Sequence, residues 1–292
     1  MTSELELISE HGSFGGVQRF YRHLSNEIGL PMQFSVYLPP QALTGERCPA
    51  IFYLSGLTCT EETFPAKAGA QRVASNLGVI LISPDTSPRG ANVPGETDNW
   101  DFGVGAGFYL DAKAESWSRH YRMYSYLVSE LYERVVTYFN LDRKQIGIMG
   151  HSMGGHGALV LALRNPNLFR SVSAFSPISA PTQCPWGQKA FSGYLGTDKD
   201  TWVEYDATEL MQRCEVAPFP KGILIDQGEN DKFLKEQLHP HLLAAACEKV
   251  NQPLLLRRHD GYDHGYYFIS TFIEDHLVHH AKQLGQASEL KA

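Results

Sequence analysis

Gly150-His-Ser-Met-Gly154 places a serine with a glycine two residues to either side. That spacing fits a sharp strand-to-helix turn that lifts a serine hydroxyl clear of the backbone. A hydroxyl is a poor nucleophile until an imidazole takes its proton, and the imidazole needs a carboxylate to fix its tautomer. Both partners follow further along the chain. Asp231 ends Gln227-Gly-Glu-Asn-Asp231, and His264 ends Asp260-Gly-Tyr-Asp-His264. We therefore expect Ser152 as nucleophile, Asp231 as acid and His264 as general base. Three carboxylates compete with Asp231. Asp226 ends the preceding apolar run and is the strongest rival, open to a purely structural role. Asp263 adjoins His264 too closely to meet its Nδ1, and Asp260 lies in the same turn.

The elements that must hold these groups are legible around them. Residues 144–149 and 222–226 read as short buried strands, and 253–257 as another apolar strand. Met153 through Leu163 reads as a helix. Upstream, 32–38, 50–54 and 79–82 read as strands, with helices over 67–77 and 122–139 and a strand over 171–175. Tyr266 to Gln283 reads as a closing helix. The first forty residues alternate polar and apolar around a Gly12–Gly16 turn, which predicts an antiparallel edge. The remainder alternates strand and helix, so the fold class is α/β: a mostly parallel central sheet with helices on both faces. One domain is expected over residues 1–284, with 285–292 a frayed tail. Two irregular stretches, Pro84–Ala112 and Pro177–Thr201, leave C-terminal strand ends and read as pocket walls carrying Trp100 and Trp186. A tetrahedral intermediate needs N–H donors. Met153, at the helix start, should give one. Leu57, in the turn after the 50–54 strand, should give the other, with Gly56 allowing close approach.

Composition narrows the partners. Lys and Arg number 25 against 32 Asp and Glu, a net charge of −7, which argues against nucleic acid or an anionic membrane. The acidic first ten residues lack the apolar stretch of a secretion signal, and no apolar run suits a membrane span. Five scattered cysteines suit free thiols in the cytoplasm. His151 and His156 read as packing around the turn, not as metal ligands. His276 and His280 read as a solvated helix end. Gly103-Val-Gly-Ala-Gly107 lacks nucleotide-binding spacing, so no cofactor is expected.

Several segments together resemble the S-formylglutathione hydrolase (esterase D) family of α/β-hydrolases. They include Ser55-Gly-Leu-Thr-Cys-Thr60, Ser83-Pro-Asp-Thr-Ser-Pro-Arg-Gly90 and Trp100-Asp-Phe-Gly-Val-Gly-Ala-Gly-Phe-Tyr109. The likeness continues through Gly150-His-Ser-Met-Gly-Gly-His-Gly157, Cys184-Pro-Trp-Gly-Gln-Lys-Ala-Phe-Ser-Gly-Tyr-Leu-Gly196, Leu224-Ile-Asp-Gln-Gly-Glu-Asn-Asp231 and Gly261-Tyr-Asp-His264. The resemblance implies the same Ser152, Asp231 and His264 roles and a homodimer. It implies hydrolysis of a glutathione thioester, S-formylglutathione, to glutathione and formate in formaldehyde detoxification. The shared Leu-Thr-Cys stretch puts Cys59 near the site mouth. For such a substrate, Arg89, Lys113 and Lys189, in or beside the two long loops, are candidate donors to glutathione.

Overall fold

The computed structural model describes residues 4–285. Nine strands form one sheet in the order β1-β2-β3-β5-β4-β6-β7-β8-β9. They are β1 (Glu6–Ser13), β2 (Gly16–Leu24), β3 (Pro31–Leu38), β4 (Ala50–Leu54), β5 (Ile80–Pro84), β6 (Ile146–His151), β7 (Ser171–Phe175), β8 (Ile223–Gly228) and β9 (Leu254–His259). The first three strands and the β3–β5 junction are antiparallel, and every pairing from β5 through β9 is parallel. The mostly parallel sheet with an antiparallel N-terminal edge is what the alternation predicted, and the fold is the α/β-hydrolase fold that the family resemblance implied.

Every residue of β4, β5, β6, β7 and β8 is buried. Strands covered on both faces must be apolar throughout, which is why they read as runs instead of alternations. Successive side chains still point to opposite faces. Ala50, Phe52 and Leu54 join a core with Tyr132, Leu159 and Phe169, whereas Ile51 and Tyr53 join a second core with Phe268, Ile273 and Leu277 of the closing helix. Each fully buried Leu, Ile or Phe among them contributes about 1.5–3 kcal/mol.

Several expected boundaries shift. The 67–77 helix is two helices, Thr63–Lys67 and Gln71–Leu77, separated at Gly69, whose φ of +67° breaks the helix. The 122–139 helix contains a π turn, Tyr126–Leu131. The stretch read as irregular, Pro177–Thr201, holds a helix over Pro185–Tyr194. Its start is capped by Cys184, whose Sγ accepts from Gly187 N at 3.4 Å, and Pro185 stands in its first turn. Trp186, Gly187, Ala190, Phe191 and Tyr194 are its buried positions, a helical spacing present in the sequence. The closing helix, Tyr266–Gln283, agrees with expectation. Of the 285–292 segment expected to fray, only Gly285 falls among the described residues. No helix among those residues is long and apolar enough to cross a membrane.

Candidate active site

Ser152 leaves β6 with φ +57° and ψ −119°, and the helix Met153–Arg164 begins at the next residue. A non-glycine residue held there stores about 1–3 kcal/mol of strain, which the flanking packing must enforce. The glycines make that packing possible. A Cβ on Gly150 would overlap Gly154 O, and one on Gly154 would overlap Leu54 O. Ser152 N donates to Phe175 O at 3.0 Å, which ties the turn to β7.

The loop after β4 runs directly against the serine. A Cβ on Gly56 would sit 3.2 Å from both Ser152 Cβ and His151 Nδ1. Thr58, at φ +69°, donates its N–H to Gly105 O at 2.8 Å, so the long loop after β5 braces this turn. The N–H groups of Leu57 and Met153 have no acceptor among the described residues. Unpaired donors at a helix start and an adjoining turn suit a developing negative charge.

On the other side, the turns after β8 and β9 are laced together. Glu229 N donates to His259 O at 2.9 Å, and Asn230 N to Tyr262 O at 2.9 Å. A side chain at Gly228 would strike Tyr262 O. This pairing brings His264 Nδ1 to 2.5 Å from Asp231 Oδ2. A proton on Nδ1 leaves the Nε2 lone pair free as base. Asp231 Oδ1 accepts from Phe233 N at 2.9 Å, and Gln227 Nε2 lies 3.3 Å from Oδ2. Burial pushes the Asp231 carboxyl up, but the His264, Phe233 and Gln227 hydrogen bonds outweigh it and hold it below the usual carboxylate range.

Ser152 and His264 open into one cavity of about 160 Å³, with Gly56, Leu57, Cys59, Trp100, His151, Trp186, Phe233 and Tyr266 as its other walls. A larger hollow of about 540 Å³, bounded by Glu130, Arg134 and Tyr138, holds neither Ser152 nor His264. Trp186 N donates to Gln237 Oε1 at 3.0 Å, and the Trp186 ring meets Phe233 and Trp100 at 4.6 and 5.6 Å. Phe233 in turn lies 5.0 Å from the His264 ring. Burial raises the Cys59 thiol above its ordinary value, despite hydrogen bonds from Thr63 and Tyr266. His151 packs on His264 at 4.5 Å, and burial first, then the neighbouring His264, keep it neutral. His156 is wholly buried, with Nε2 3.1 Å from Phe108 O.

Sequence reasoning missed Phe233 and Tyr266 as cavity walls. Each follows a predicted site residue by two positions, which was the available signal. Asp226 lies apart from the cavity walls, wholly buried, with Arg257 Nε and Nη2 at 2.6 and 2.5 Å. Asp263 only accepts from Gly265 N at 2.8 Å. The expectation of a solvated His276 and His280 is corrected: both are fully buried. His280 bridges Ser171 Oγ and Ser173 Oγ at 2.6 and 2.8 Å, and His276 Nδ1 meets Ser173 Oγ at 2.8 Å. These histidines face the sheet because the helix packs on β7, and small serines there leave room for them. Of the cations expected to meet glutathione, Arg89 is held by Asp85 at 2.6 Å and Lys189 by Asp101 at 2.5 Å, while Lys113 is exposed.

The family model described as "Putative esterase" matches residues 25–279. S-formylglutathione hydrolase from Rattus norvegicus is 52% identical over 282 residues, covering 96% of this chain and 99% of that protein. The Arabidopsis thaliana S-formylglutathione hydrolase is 54% identical over 285 residues, covering 97% and 99%. The structure of an S-formylglutathione hydrolase from Agrobacterium tumefaciens superposes with a TM-score of 0.92 at 49% identity, covering 96% of this chain and all of the other. A ferulic acid esterase, at 17% identity and a TM-score of 0.74, shares the fold. With this breadth of identity, the chain belongs to the S-formylglutathione hydrolase family of serine esterases.

Proposed function

We propose that this enzyme hydrolyses S-formylglutathione to glutathione and formate, with side activity on short-chain esters, in glutathione-dependent formaldehyde detoxification. The observation that carries the reading is the His264–Asp231 pair at 2.5 Å beside the cavity that Ser152 enters. In this mechanism Ser152 Oγ attacks the formyl carbon while His264 Nε2 takes its proton. The carbonyl oxygen becomes an oxyanion accepted by the Leu57 and Met153 N–H groups. Its collapse breaks the C–S bond, and His264 returns the proton to the departing thiolate. Water, deprotonated by the same imidazole, attacks the formyl-enzyme; formate leaves as Ser152 recovers its proton.

The small cavity supports a small acyl group, since a formyl group has no carbon beyond its carbonyl. Each methylene that does not fit should cost about 1–3 kcal/mol in transition-state binding. With one common leaving group, kcat/KM should fall steeply from formyl to acetyl to butyryl. A profile that peaks at butyrate or beyond would make the protein a general carboxylesterase instead. The proposal extends to a single domain over 1–284, a homodimer in the cytoplasm, and no cofactor, nucleic-acid or membrane partner. The net charge of −7 supports the absence of nucleic-acid and membrane partners, and the five free cysteines support the cytoplasm.

A further inference from the structure

The glutathionyl half of the substrate carries two carboxylates, and the cavity walls themselves hold no lysine or arginine. Ion pairs already engage two of the cations expected from sequence, Arg89 and Lys189. Two other lysines stand against aromatic walls of the cavity. Lys67 Nζ lies 5.8 Å from the Tyr266 ring, and Lys232 Nζ lies 4.9 Å from the Phe233 ring. Both side chains are exposed, and neither makes an ion pair with a described carboxylate. They sit on different walls: Phe233 adjoins Trp186 and His264, whereas Tyr266 adjoins His151.

Resting on the S-formylglutathione reading, we propose that Lys67 and Lys232 form a two-point carboxylate clamp for the glutathione leaving group. With the formyl carbon at Ser152, the sulfur lies at the cavity mouth. Lys232 Nζ is within about 10 Å of the His264 ring, which is the reach of a glutathione carboxylate from its sulfur in an extended tripeptide. Lys67 is close enough to act electrostatically on the Cys59 thiol, which lines the same cavity. The aromatic rings hold each ammonium at the rim, a cation–π arrangement that leaves its outward donors free for a carboxylate. Neither lysine touches the reacting atoms. They select the leaving group and leave the chemistry to the cavity.

The test compares S-formylglutathione with uncharged p-nitrophenyl acetate in wild type, Lys67→Gln, Lys232→Gln and the double variant. KM for S-formylglutathione should rise roughly 2–5-fold per lysine and multiplicatively in the double variant, because each contact is exposed. Its kcat, and both parameters for p-nitrophenyl acetate, should stay within about twofold. Free glutathione should inhibit p-nitrophenyl acetate turnover in wild type and lose that grip in the double variant. Added salt should raise the wild-type KM for the thioester only. An unchanged thioester KM in the double variant overturns the clamp while wild-type turnover of S-formylglutathione still upholds the function. If wild type fails to cleave S-formylglutathione, the functional reading falls and takes the clamp with it. Equal losses on both substrates would make the lysines structural and also overturn the proposal.

Discussion

The molecule holds two Ser-His-Asp arrangements of similar composition and opposite setting. At the cavity are Ser152, His264 and Asp231, with Nδ1 of the histidine 2.5 Å from its carboxylate. Between the sheet and the closing helix are Ser173 of β7, Asp226 of β8 and His276 of the helix, with Ser173 Oγ 2.8 Å from His276 Nδ1 and Asp226 Oδ2 3.3 Å from Nε2. The second set is fully buried, and Arg257 neutralises its aspartate. Burial pushes the Asp226 carboxyl up, but His276 and Arg257 overcome this and hold it far below the usual range. Burial lowers the His276 and His280 imidazoles below their ordinary value, against the pull of Asp226 on His276. Residue types alone therefore do not make a nucleophile. Ser152 gains a reachable hydroxyl from its strained backbone and unpaired N–H groups nearby, whereas Ser173 spends its hydroxyl on two imidazoles.

Replacing each serine with alanine separates the two most widely. Ser152→Ala should lower kcat by on the order of 10⁴-fold or more, with melting unchanged. Ser173→Ala should keep kcat within about twofold, yet lose about 1–3 kcal/mol of stability by orphaning buried imidazole nitrogens. Retention of a tenth of wild-type turnover in homogeneous Ser152→Ala would erase the distinction. The acids should part similarly. Asp231→Asn should cost roughly 10⁴-fold in kcat by leaving His264 in the wrong tautomer. Asp226→Asn should cost on the order of 3 kcal/mol of stability, because Arg257 loses its buried partner. Collapsed turnover with unchanged melting in the Asp226 variant would reverse the assignment.

Acid should expose the buried set next. His276 and His280 have folded values below the ordinary 6.5, so their stabilising effect is present above pH 6.5 and is lost as pH falls through their folded values. Each should remove about 1.4 kcal/mol per pH unit below pH 6.5 until its own folded value is passed. Scanning calorimetry of His280→Phe between pH 8 and 5 should show a lower melting point at pH 8 and a shallower acid decline; an equally steep decline would discount His280. The smallest effect belongs to Cys59. Its raised value makes alkylation slow at neutral pH and faster in alkali, and the modified enzyme should be inhibited by a filled cavity. Cys59→Ser should remain active and resist the reagent. Continued sensitivity would point to Cys184 or another thiol.

The serine turn, the strand leading to Asp231 and the closing helix were legible because each rests on local rules: glycines where a side chain would collide, apolar runs where two faces are covered. The Pro185–Tyr194 helix went unread although its apolar spacing was present, because glycines and a proline dominated the stretch. The His276 and His280 reading failed for a different reason. A histidine near a helix end looks solvated until the partner surface is known, and here that surface is the serine-bearing face of β7.

By itself, then, the chain determined its strand order, the helix after the serine and the closing helix, its serine turn and the order of groups that could activate it, since these depend on neighbours in sequence. Only the tertiary structure decided which aspartate meets His264, since Asp226 and Asp231 lie five positions apart on one strand and its loop. The choice turns on the lacing of the β8 and β9 turns, contacts between residues thirty or more positions apart. It also decided which cations remain unpaired at the cavity rim, because ion pairs form between loops whose proximity no local pattern encodes.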